Sequence, residues 1–158
     1  MRGASLESIE NYLPISDRLG TGGQPEAEHF ASMASAGYDV VINLAMPGSA
    51  DVWLEEGRLV VENGMIYVHL PVAWDAPTLV DVRRFFGLME VFDDAKVFVH
   101  CAKNMRVSVL VFLYRVCRQH IPLDVAEADL LAIWQPHGVW RRLVETTMAD
   151  PDLCRAVL

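Results

Sequence analysis

Val97–Ser108 reads VFVHCAKNMRVS, and the rest of the chain is best understood outward from it. Lys96 to His100 (KVFVH) has the length and the β-branched, aromatic content of a buried strand, and from Val107 to Gln119 the pattern returns to helical period. The residues between are therefore a strand-to-helix loop. The first amides of a helix have no intrahelical partner, and together with the helix dipole they attract an anion. The same field favours the charged form of a thiol, which marks Cys101 as a nucleophile. Arg106, across the loop, offers a planar fork matching two oxygens of a phosphate group. Ser108 stands where it could donate to the thiolate as it departs. A cysteine after an apolar strand is commonly just a small buried hydrophobe; the company of His100, Arg106 and Ser108 favours chemistry.

Upstream, the same alternation of short β-rich runs and helical segments repeats. Pro25 to Ala36 reads as a helix with proline in its first turn and Gly37 as its stop. Tyr38 to Leu44 (YDVVINL) reads as a strand, Asp51 to Asn63 as a helix, and Met65 to Leu70 (MIYVHL) as a strand ended by Pro71. Thr78 to Phe92 is a helix with Leu79, Val82, Phe85, Phe86 and Met89 on one stripe. Leu13–Ile15 and Arg18–Thr21 are short enough to be edge strands. Downstream, helices are expected over Asp124–Trp134 and Gly138–Met148. The expected fold is α/β: a central, mainly parallel sheet flanked by helices, with a helical C-terminal third, and residues 1–158 forming one domain.

Composition narrows the function. Thirteen basic against twenty-one acidic side chains give a formal charge of -8, which repels nucleic acid in the absence of a basic patch. No apolar run reaches membrane-spanning length, and the N-terminus lacks the apolar core of a signal peptide, so neither a nucleic acid nor a membrane is an expected partner. The three cysteines, Cys101, Cys117 and Cys154, are an odd number at irregular spacing, which fits a reducing compartment better than a disulfide framework; the expected setting is cytoplasmic. Cys117, about 16 Å along the helix from the loop, reads as a poor resolving thiol. Neither a metal nor another cofactor is implied.

The order His100-Cys101, a short loop, then Arg106 and a nearby serine resembles the signature of the protein tyrosine and dual-specificity phosphatase superfamily, which has five residues between cysteine and arginine. Here there are four. That shorter loop, with the opening stretch Ile15–Pro25 (ISDRLGTGGQP), resembles the bacterial beta-lactamase hydrolase-like phosphatase-like group. The resemblance covers about Ile15 to Trp140. It implies a dual-specificity-phosphatase-like fold and a cysteine-dependent phosphatase that hydrolyses phosphate monoesters through a phosphocysteine, with a phosphorylated substrate as partner. Asn104 stands where the family has a loop glycine, and asparagine is the other residue that best tolerates a left-handed backbone. Either the helix starts one residue sooner and Arg106 still reaches the phosphate, or the tight loop only binds anions.

The resemblance further implies a general acid from another loop, and Asp75 is the candidate, beyond the strand ending at Leu70; the bland alternative is a turn or cap aspartate before Pro77. Trp74 either walls the pocket or packs under the loop. Gln135 could orient the attacking water. Ala102, Lys103, Asn104 and Met105 surround the bound group with Arg106, Lys103 adding positive potential unless it is a solvated tip. His100 is expected to brace the loop by a backbone hydrogen bond rather than titrate, and His69 to be a satisfied core histidine. Two rivals remain: a rhodanese-like sulfurtransferase, which also spaces its cysteine and basic residue by four, and a phosphate-binding pseudophosphatase.

Overall fold

The structure is a computed structural model and describes residues 4–47 and 55–155. Val97–His100 is apolar on both faces but for its last residue, and all four residues are buried. A strand with no solvent face has to be central. It is β5, the middle of a five-stranded sheet of order β1-β2-β5-β3-β4, where β1 is Leu13–Ser16, β2 Leu19–Gly22, β3 Val40–Asn43 and β4 Ile66–His69. β5 lies parallel to β2 and β3, β3 lies parallel to β4, and only β1 runs antiparallel, against β2. The Leu19 to Gly22 strand, expected at an edge, is thus internal. Its four residues are buried, and its two glycines leave room for Phe98 and Tyr38.

The helices are α1 Ala27–Ser35, α2 Glu56–Glu62, α3 Leu79–Val91, α4 Met105–Cys117, α5 Leu123–Ile133 and α6 Val139–Ala149. Alternation along the strands sorts them into two layers. Val41 and Phe98 face Phe30 and Met33 of α1 and Val60 of α2. Val40, Ile42, Val97 and Val99 face the larger core built from α3 to α6. α4 is buried from Arg106 to Cys117 on all sides, which makes it the hub that α5 and α6 pack against.

Helix ends follow local chemistry. Thr78 caps α3 and exchanges hydrogen bonds with Asp81, which completes a capping box. α1 begins at Ala27 behind Glu26, whose amide donates to His29 Nδ1, and Pro25 lies before the helix instead of in its first turn. The expected start of the second helix at Asp51 lies outside the described residues. His69 is exposed and bonded to the Ala45 carbonyl oxygen, because β4 is an edge strand; it is not a core residue.

The cysteines correct the sequence reading. Cys117, at the end of α4, and Cys154, beyond α6, form a disulfide across 37 residues, and Cys101 alone is free. The pairing is long-range and depends on how α6 returns along α4, which spacing does not reveal. Among the described residues, no helix is long and apolar enough to cross a membrane.

Candidate active site

β5 ends at His100 and α4 begins at Met105, so the loop between them sits at the carboxyl rim of the parallel strands. The helix starts two residues earlier than its periodicity suggests. Arg106 consequently falls in the first turn, on the loop side. The turn is made possible by Asn104, at φ 65° and ψ 1°, the left-handed conformation anticipated for it. Asn104 is fully buried, and its side-chain amide donates to the Asn11 carbonyl and to Thr21 Oγ1.

Three successive loop carbonyls are turned to fixed donors. Cys101 O faces His100 Nδ1 at 3.3 Å, Ala102 O accepts from the Gln24 amide at 3.0 Å, and Lys103 O accepts from Asn11 Nδ2 at 3.0 Å. In a trans peptide the carbonyl and the next amide point in opposite directions. Holding the first two carbonyls therefore turns the Ala102 and Lys103 amides the other way. With the amides of the first turn of α4, which have no intrahelical partner, they can form a concave nest of the kind that binds an anion. Gly23 and Gln24, directly after β2, are the brace. A Cβ on Gly23 would stand 2.7 Å from Ala102 O and 2.9 Å from Glu10 O, so only glycine fits between these backbones.

A cavity of about 260 Å³ opens over this nest, lined by Cys101, Ala102, Lys103, Met105, Arg106 and Trp74. Arg106 is 6% exposed and donates through Nη1 to the Val72 carbonyl at 2.9 Å, which ties the helix start to the loop after β4 and leaves its other N–H groups for a ligand. Trp74, 43% exposed, lies with its ring centroid 5.4 Å from that of Trp134 and 5.7 Å from that of Trp140, and Trp140 Nε1 donates to Trp74 O. It is both a wall of the pocket and part of a packed cluster.

Other expected site residues lie elsewhere. Ser108 Oγ donates to Met105 O at 2.7 Å and accepts from Trp134 Nε1 at 3.0 Å, so its hydroxyl serves the first turn of α4 and makes no hydrogen bond with Cys101. Once α4 begins at Met105, position 108 is three residues into the helix, within reach of the Met105 carbonyl. Asp75 is exposed and does not line the cavity. Gln135 is also exposed and outside it; its neighbour Trp134 reaches the loop instead. His100 and Asn104 are fully buried behind the loop, and neither lines the cavity.

One residue was missed in the sequence. Glu56 of α2 is 1% exposed and meets His100 Nε2 at 2.7 Å, while its other oxygen accepts from Gln24 Nε2 at 2.7 Å. Burial alone would raise its pKa, but the charge and hydrogen bond of His100, with further bonds from Gln24 and Tyr67, hold it below the usual carboxylate range. A glutamate in an otherwise ordinary helix carries no signal in sequence. No group of three or more metal-ligating side chains occurs among the described residues.

A mainly parallel sheet flanked by helices, with a cysteine loop and an arginine at its carboxyl rim, defines the protein tyrosine and dual-specificity phosphatase superfamily, in the short-loop group of the beta-lactamase hydrolase-like proteins. The chain belongs to the family described as DSP-PTPase phosphatase fused to NAD+ kinase, whose profile matches residues 7–133. A beta-lactamase hydrolase-like protein of Xylella fastidiosa is 28% identical over 122 residues, covering 73% of this chain and 27% of the relative; the match thus spans about a quarter of that protein's length. A crystal structure of a DUF442 protein of Shewanella putrefaciens CN-32, described as a candidate phosphatase, superposes with a TM-score of 0.82 at 32% identity, covering 91% of this chain and 95% of that one. TpbA of P. aeruginosa, solved with pTyr, shares the fold at a TM-score of 0.65 and 15% identity, over 98% of this chain and 83% of that one.

Proposed function

We propose that the chain hydrolyses phosphate monoesters by way of a phosphocysteine on Cys101. The observation that carries this reading is a single free cysteine at the floor of a cavity formed by loop amides and the Arg106 guanidinium. The thiolate sulfur attacks phosphorus; an S–P bond forms, the ester P–O bond breaks, and the leaving oxygen takes a proton. Water then cleaves the S–P bond, releasing phosphate and restoring the thiol. Arg106 and the nest amides meet the charge on the equatorial oxygens. Asp75 is the proton donor in this reading, and for that role the Trp74-Asp75 segment has to turn it inward, since it stands outside the cavity.

The enzyme is a phosphoric monoester hydrolase in this reading, acting in the cytoplasm on a phosphorylated substrate, with neither nucleic acid nor membrane as partner. Among the described residues no carboxylate lines the cavity. That observation favours a second reading in which Cys101 carries or binds a group without protonating a leaving one, as a sulfurtransferase or an anion-binding protein would. The test is turnover by the purified chain. Aryl phosphate hydrolysis lost in Cys101→Ser supports the first reading, and a slowing by Asp75→Asn that is much larger for alkyl than for aryl phosphates assigns the acid. Sulfur transfer from thiosulfate to cyanide without phosphatase activity replaces it; phosphate binding without either activity leaves a pseudophosphatase.

A further inference from the structure

We infer that Glu56 is a positioning residue for the nucleophile: by holding His100 as an imidazolium against the Cys101 carbonyl, it keeps a positive charge behind the loop and sustains the Cys101 thiolate. The inference rests on Cys101 being the reactive thiol.

Both ring nitrogens of His100 face acceptors. Nε2 stands 2.7 Å from a Glu56 carboxylate oxygen, and Nδ1 stands 3.3 Å from the Cys101 carbonyl. A neutral imidazole has one N–H and can satisfy only one of the two. With the ring fully buried, one proton has to lie between Nε2 and Glu56, and because Gln24 donates a further hydrogen bond to that carboxylate and so favours its ionised form, the proton sits on Nε2 and both ring nitrogens carry hydrogen. The orientation matters as well. The carboxylate lies beyond Nε2, on the far side of the ring, and the positive end of the pair faces Cys101.

Among the described residues, Glu56 and His100 form no ion pair except with each other. From β4, Tyr67 bears on Glu56; burial, the largest influence on it, raises its pKa to about 12, so it stays a proton donor, and it accepts from Asn43 Nδ2 of β3. Gln24, after β2, contributes a neutral amide whose backbone also holds Ala102 O. From α1, Glu26 and His29 are occupied with one another through the Glu26 amide, and His29 Nε2 with Ser8. Arg106 of α4 turns to Val72, and His69 is bonded to Ala45. Glu56 and Gln24 thus act on the loop through two separate carbonyls, Cys101 O and Ala102 O, and through them on the amides that form the nest.

Two measurements test this, and neither requires phosphate ester hydrolysis, so it can fail while the phosphatase reading stands. The first follows alkylation of Cys101 by iodoacetamide against pH in the wild type, Glu56→Gln and Glu56→Asp, each first shown folded by circular dichroism. Glu56→Gln keeps the shape and removes the charge, and the inflection should move to higher pH by about one unit, the scale on which a nearby charge acts. Glu56→Asp should recover part of the shift. An unchanged inflection in a folded Glu56→Gln overturns the inference. The second needs no variant: 15N chemical shifts of the His100 ring in the wild type at neutral pH should report both nitrogens protonated, and a neutral tautomer overturns it even if Glu56→Gln does not fold.

Discussion

At the scale of single residues, Arg106 shows how geometry and charge separate. One arm of its guanidinium is committed to the Val72 carbonyl and the others are free for an anion at the cavity floor. Arg106→Lys keeps the charge but loses the fork, so we expect phosphatase kcat/KM to fall by about a hundredfold or more, an effect of roughly 3 kcal/mol or more. An equal loss in Arg106→Ala would confirm that the planar fork, not charge, is what the site uses. That Cys101, His100 and Arg106 meet at one strand-to-helix loop was legible because they are neighbours in sequence. Glu56 was not, since its partner lies 44 positions away. Ser108 was expected to donate to the thiolate; with α4 starting at Met105 its hydroxyl donates instead to a carbonyl one turn back.

At the scale of elements, the decisive joint is between β2 and the cysteine loop. The strands and helices on either side could be read from period and punctuation, because local pattern reflects which face is buried. The neighbour relations could not: that β2 lies beside β5, and that Gly23 and Gln24 brace Ala102 and Lys103, are facts of sheet order. Gly23→Ala tests the joint. Its Cβ would press on two backbone oxygens, and backbone cannot move aside as a flexible side chain does. We expect a stability loss of about 1–3 kcal/mol in urea melts and a larger loss of inorganic phosphate affinity, since the nest is displaced before the sheet is. Asn104→Gly at the other end of the loop keeps the left-handed backbone and removes only the side-chain bonds to Asn11 and Thr21, so it should be the milder change.

For the whole molecule, two long-range links outside the cavity set the response to acid and to reductant. An unfolded glutamate has a pKa of 4.5, and Glu56 in the fold lies below it. Its contribution to stability is therefore complete above that value and is lost as pH falls through the folded pKa. Urea midpoints of the wild type and Glu56→Gln, compared from about pH 7 down to about pH 3, should converge as acid is added, because protonation removes in the wild type what the substitution has already removed. Parallel curves would assign the acid sensitivity to other carboxylates. The Cys117–Cys154 disulfide closes a loop of 37 residues between the end of α4 and the segment after α6. Since α4 carries the loop at its other end, the cross-link holds the C-terminal helices on the helix that starts the active site. In the chain-entropy account a loop of that size is worth about 4 kcal/mol, so reduction by dithiothreitol should lower Tm by roughly 10 °C. Cys117→Ser should reproduce the drop and remove the response to reductant. Cys101→Ser should leave that response intact, because its thiol takes no part in the bond. Thiol counting on protein trapped in cell extracts reads the state of the bond in the cell: one reactive thiol per denatured chain if the bond persists, three if it is reduced.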